Sequence, residues 1–150
     1  MADLAAWLGG VGGAVGALGG PAGLWAAWNQ HQTNRRRRFG PPEELVGLLA
    51  KVIDVAGDIM YTYRSEEWLT EAGLPALQDR LDELRHLVRD ETLVADLTLV
   101  SAQASLTLSA VSYPMDSPER RASVVAQQSQ RAGKLEDFAK TALVTLRKRL

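Results

Sequence analysis

The chain has 150 residues, with 17 basic and 18 acidic side chains and no cysteine. That length allows one modest soluble core beside a further segment. The missing thiol excludes a disulfide framework, a cysteine nucleophile and a cysteine-ligated metal site.

The charge is split along the chain. Residues 1–40 carry four arginines against Asp3, whereas residues 41–150 carry 13 basic and 17 acidic groups, a net −4. An acidic domain is a poor partner for phosphates, so no nucleic acid is expected to bind. Arginine outnumbers lysine 13 to 4. With plentiful alanine and glycine, this bias is that of a GC-rich genome and points to a bacterial source.

The first element is Leu4 to Trp28, which holds no charged residue. As a helix it would reach about 37 Å, at about 1.5 Å per residue. A bilayer core is about 30 Å thick, so the stretch is expected to span one. Trp7 stands near its start and Trp25 and Trp28 near its end. From Trp7 to Trp25 is about 27 Å along a helix. That separation suits two interfacial belts, where an indole keeps its ring apolar and its N–H wet. Arg35, Arg36, Arg37 and Arg38 follow. Positive residues stay on the cytoplasmic side, so the expected topology is single-pass in the cytoplasmic membrane, with the C-terminal domain inside. Near anionic headgroups each such arginine contributes about 1 kcal/mol.

Glycine dominates the stretch. Gly9–Gly13, Gly12–Gly16, Gly16–Gly20 and Gly19–Gly23 are each four residues apart. Small residues at this interval let two helix backbones approach closely, so self-association through this face is expected. A cleaved signal peptide fits less well: it wants a basic start, and here the positive charge lies at the other end. A conditionally inserting, pore-like peptide is the sharper competitor, because low hydrophobicity suits a segment released on demand.

Phe39-Gly40-Pro41-Pro42 breaks the helix. This gives a glycine-rich transmembrane segment over 1–34, a basic juxtamembrane linker over 35–42 and a cytosolic helical bundle over 43–150.

In the bundle, Leu45, Leu49, Val52, Ala56, Ile59 and Tyr63 fall at alternating steps of four and three, one helical seam. Ser65 is placed to cap a short continuation, and Gly73 to stop it. From Pro75, Leu77, Leu81, Leu84 and Val88 repeat in the same way among mixed charges that read as a solvated face. Leu93, Leu97, Val100, Ala104, Leu108 and Val111 then form one stripe, and Ala95, Leu99, Ala102 and Leu106 a second. A helix apolar on two faces buries both, at the centre of the bundle or against another subunit. Leu93, Leu97, Leu99, Val100, Leu106 and Leu108 are therefore the candidate oligomer or partner face. Whether the helix runs through Asp90–Thr92 is open. Ser117-Pro118-Glu119 is a helix start. Val125, Ala132, Leu135, Ala139, Ala142 and Leu146 carry that last helix's seam, with Gln128 at an inner position.

The fold expected is all-α: one membrane helix, then an elongated antiparallel three-helix bundle of about 30, 37 and 32 residues, each helix about 45–55 Å long. A break in the second helix would make it four. No P-loop, zinc-protease or nucleophile-elbow pattern occurs. No cofactor, no metal and no catalytic residues are expected. The expected role is a membrane-tethered adaptor or scaffold, contacting lipid, a second copy and a protein partner. The alternative is a membrane-active oligomerising effector of defence or lysis type.

Overall fold

The computed structural model describes residues 21–110 and 116–150, with side chains in the first helix from Trp25 onward. The chain divides into two units, Met1–Arg35 and Arg36–Leu150. Every regular element among the described residues is a helix. They are α1 (Pro21–Phe39), α2 (Pro42–Tyr61), α3 (Glu66–Glu71), α4 (Leu74–Arg85), α5 (Glu91–Ser109) and α6 (Pro118–Arg149).

No described helix is long and apolar enough to cross a membrane. Of the apolar stretch, only its end from Pro21 is described, and α1 turns polar at Asn29. Trp7, Gly9, Gly12, Gly13, Gly16, Gly19 and Gly20 lie outside the described residues, as do Val111 and the loop residues 113–115. In the first unit, Trp25 and Trp28 sit one helical turn apart with 68% and 62% of their surface exposed, so nothing in the described chain shields the indoles.

The second unit is a four-helix bundle. α2 packs on α6, α6 on α5, α5 on α4 and α4 back on α2, which closes the ring. Cross-links set every neighbour antiparallel. Arg80 of α4 donates to Glu44 of α2 at 2.7 Å. Ser101 of α5 donates to Asp82 of α4 at 2.9 Å, and Thr145 of α6 to Asp96 of α5 at 2.7 Å. Ser129 of α6 donates to the Met60 carbonyl of α2 at 2.8 Å.

The core follows the expected seams in α2 and α5. Leu45, Leu49, Val52, Ala56 and Ile59 are buried, as are Leu93, Leu97, Val100 and Ala104. In α6 the buried set is Val124, Gln128, Ala132, Leu135, Ala139, Ala142 and Leu146. Val125, expected inside, is exposed, because the first steps of this seam are four and four rather than a strict heptad. The repeated alanines let α6 approach its neighbours closely.

Three further expectations are corrected. The second helix of the expected three is two, α4 and α5, parted at His86–Asp90, so the bundle has four long helices and the short α3. The first seam does not reach Tyr63: α2 ends at Tyr61, and Thr62 is extended at φ −145°. Gln128 holds the chain there, accepting from the Arg64 amide at 2.9 Å and donating to the Arg64 carbonyl at 2.8 Å. Lastly, Arg35–Phe39 is helix rather than linker, and Phe39 is buried in the second unit.

The helix ends follow local chemistry. Ser65 accepts from the Trp68 amide at 3.3 Å and Ser117 from the Arg120 amide at 3.2 Å. Each satisfies one of the orphan N–H groups of a first turn. Gly40 and Gly73 take φ of +67° and +76°, the left-handed region open to glycine.

Candidate functional site

One end of the bundle gathers basic side chains from three parts of the chain. The last turn of α1, the α4–α5 turn and the C-terminus of α6 meet there around Asp90. Local rules dictate part of this. The final carbonyls of a helix have no partner within it. The Arg38 carbonyl finds two outside, accepting from the amides of Arg89 at 2.9 Å and Asp90 at 3.3 Å. Gly40 then turns the chain so that Phe39 enters the core, with the Arg38 guanidinium 5.2 Å over its ring.

Asp90 is the hub, with its side chain 4% exposed. One carboxylate oxygen caps α5, accepting from the Leu93 amide at 3.1 Å. The other accepts from Arg38 at 3.1 Å and from Arg149 at 3.0 Å. Arg149 also donates to the Thr92 hydroxyl at 3.3 Å. Burial disfavours the charged form and acts to raise the Asp90 pKa. The Leu93 amide, the Arg149 charge and the Arg38 hydrogen bond together outweigh it, holding the carboxyl below the ordinary 3.8. A carboxyl depressed on folding stabilises the native state above its unfolded pKa. That contribution fades as the pH falls through the folded value. In denaturant titrations, the excess stability of the wild type over Asp90→Asn should therefore be constant from pH 7 to about 5. It should shrink below about pH 4, where the unfolded carboxyl takes its proton. A difference that does not change with pH would place the Asp90 charge outside the energetics of this end.

Beside the hub lies an open cleft of about 680 Å³. Arg36, Arg37, Pro42, His86, Leu87 and Arg89 are among its lining residues. Arg36, Arg37, Arg89, Arg147 and Lys148 are all exposed. Exposed guanidinium groups offer paired donors to anionic oxygens, phosphate above all. Leu87, 56% exposed, stands among them.

The structure places the expected site residues unequally. Arg36, Arg37 and Arg38 join this end, while Arg35 is the last residue of the first unit. Gly23, Trp25 and Trp28 lie on α1 in that first unit. The candidate face on α5 divides. Leu93, Leu97 and Val100 are fully buried within the bundle, so they are closed to any partner, and Leu108 is partly buried against the same core. Leu99 and Leu106 are about half exposed. With Ala95 and Ala102, also exposed, they form an unpaired outer stripe at steps of four, three and four.

Sequence reading missed Asp90 as a cap and treated Arg89 and Asp90 as solvated surface. The signal was present: Asp90-Glu91 stands just before Leu93, a cap followed by an acid in the first turn. Comparison with protein-family models, with curated proteins and with solved structures found no match to this chain.

Proposed function

We propose that the protein is a membrane-tethered helical scaffold. Residues 4–28 insert in the cytoplasmic membrane and pair with a second copy through their glycine face. Arg35–Arg38 hold the chain at anionic headgroups, and the bundle offers its outer surfaces to a protein partner on the cytoplasmic side. The observation that carries this reading is the uncharged Leu4–Trp28 stretch, bounded by tryptophans and followed by four arginines. The outer stripe of Ala95, Leu99, Ala102 and Leu106 supports the scaffold role, because an apolar stripe in water is a contact surface in waiting.

Cell fractionation tests the tether. The wild-type chain should resist alkaline extraction from membranes. Val11→Arg with Val15→Arg should move it to the supernatant, since each arginine at mid-bilayer costs about 2.5–3.5 kcal/mol. A wild-type chain recovered in the supernatant would refute the tether. Gly16→Leu should reduce cross-linked dimers in membranes, and unchanged cross-linking would refute the glycine interface.

The glycine content favours a second reading, a membrane-active effector whose oligomers gather weakly hydrophobic helices into a lesion. Dye leakage from liposomes that depends on residues 4–28 selects the effector; intact liposomes select the scaffold.

A further inference from the structure

We propose that the Asp90 end of the bundle is itself a peripheral membrane contact: it seats on an anionic bilayer through Arg36, Arg37, Arg89, Arg147 and Lys148, with Leu87 entering the headgroup layer. This deepens the membrane reading above and rests on it for Arg36 and Arg37, but it adds Arg89, Arg147, Lys148 and Leu87 and makes a separate claim. The bundle lies against the lipid in one orientation, end-on, rather than hanging free below its tether.

Three observations converge on it. First, folding concentrates charge that the sequence disperses. The whole second unit has 16 basic and 17 acidic groups, a net −1. Its Asp90 end holds Arg36, Arg37, Arg38, Arg89, Arg147, Lys148 and Arg149. Among the carboxylates at this end are Glu43 and Glu44, which line the cleft, and Asp90 and Glu91, which open α5 beside it. Two of those four are already engaged: Asp90 by Arg38 and Arg149, and Glu44 by Arg80. The five arginines and lysines proposed to meet lipid have no ion-pair partner among the described residues.

Second, an exposed leucine, Leu87, lines the same cleft as Arg36, Arg37 and Arg89. Leu87 occupies the α4–α5 turn, where nothing in the fold requires a large apolar side chain facing water. Its neighbour Val88 is buried and fixes the turn, so Leu87 is held outward. A basic rim around a projecting apolar group matches an anionic lipid surface, where charge attracts and the apolar group enters the acyl boundary. A nucleic-acid groove has less use for such a group.

Third, the end is rigid. Arg38, Arg149 and the Arg89 and Asp90 amides knit its three segments together, so the free cations are displayed on a fixed frame rather than on loose termini.

The absence of cysteine allows a single label. The full-length chain carrying Leu87→Cys with an environment-sensitive dye is mixed with phosphatidylcholine vesicles, with and without phosphatidylglycerol. Tyr61→Cys, at the opposite end of α2 and 83% exposed, is the control. The dye at 87 should shift to the blue on anionic vesicles only, and high salt should reverse it. The dye at 61 should not respond. Adding Arg89→Ala, Arg147→Ala and Lys148→Ala should weaken seating roughly a hundredfold, at about fivefold per cation, without unfolding the bundle. Flotation of the vesicles reads the tether separately. A chain that floats on both vesicle types with no response at 87 keeps the tether and overturns the seating. A chain that floats only on anionic vesicles, with the shift at 87, keeps the seating and overturns the tether. No flotation on either overturns both. A shift at 87 produced equally by duplex DNA would assign this end to nucleic acid and overturn the proposal.

Discussion

Asp90→Ala should destabilise the second unit by about 3 kcal/mol, adding the loss of an N-cap to the loss of two ion pairs. The cap accounts for about 1 kcal/mol, since the Leu93 amide would lose its acceptor at the start of α5. The pairs with Arg38 and Arg149 account for about 1 kcal/mol each at most, because both guanidinium groups are partly solvated and recover water when released. A charge buried without partners would cost more, but here the charge itself is what leaves. Asp90→Asn separates the two effects. Asparagine caps a helix about as well as aspartate, so this variant should lose only the ion pairs, about 1–2 kcal/mol. Chemical denaturation with a common slope reads both. A second signal should accompany them. The Arg38 carbonyl is held by amides of the same turn, so hydrogen exchange at Arg89 and Asp90 should quicken in the alanine variant. If alanine and asparagine cost the same, the cap contributes nothing and the hub is purely electrostatic. If both cost under about 0.5 kcal/mol, Asp90 behaves as ordinary surface.

Helical periodicity exposed most of the bundle and hid its joints. The α2 seam from Leu45 to Ile59 is legible because one apolar stripe faces one core. The start of α6 is legible because Ser117, Pro118 and Glu119 act locally. The joints failed for one shared reason. Leu84 and Val88 keep a helical step of four across the α4–α5 break, and Ile59 and Tyr63 keep it past the end of α2. Neither break contains glycine or proline. Both are imposed from far away in the chain: His86–Asp90 by the Arg38 carbonyl and the two arginines, Thr62–Ser65 by Gln128. Patterning reports where apolar groups recur, and a turn held by long-range hydrogen bonds leaves it unchanged.

The same limit applied to the site. The arginine run is visible as charge. That Arg38 and Arg149 share one carboxylate, 52 and 59 residues from Asp90, is not visible, because no local rule pairs them. The doubly apolar texture of α5 did divide into two stripes, but their fates differ. The stripe through Leu93 and Leu97 builds the monomer, and the stripe through Leu99 and Leu106 is left outside it. Hydrophobicity alone ranks the two equally, since leucine lies on both.

Gln128→Ala should cost about 3–4 kcal/mol, the largest effect expected of any polar residue in the bundle. Gln128 is fully buried, and its amide closes a reciprocal pair of hydrogen bonds with the Arg64 backbone, 64 residues distant. Removal strands an N–H and a carbonyl. Each costs about 1–3 kcal/mol in a dry site, toward the lower figure here because Arg64 is only partly buried. A cavity adds to this. Gln128→Met keeps the volume and removes only the hydrogen bonds, so it should cost about 2 kcal/mol, and the difference from alanine measures the cavity. The two variants should agree on local opening: hydrogen exchange at the Arg64 amide should accelerate in both. The segment has one further brace. The Arg64 guanidinium stacks on the Trp68 ring at 4.3 Å, and its Nε is buried with no hydrogen-bond partner among the described residues. An orphaned N–H over an indole face is partly compensated by the ring's electrons, which ties Arg64 to α3. If methionine were as stable as the wild type, the reciprocal bonds would contribute nothing net. The end of α2 would then have to be set by the Arg64–Trp68 stack and the Ser129–Met60 bond alone.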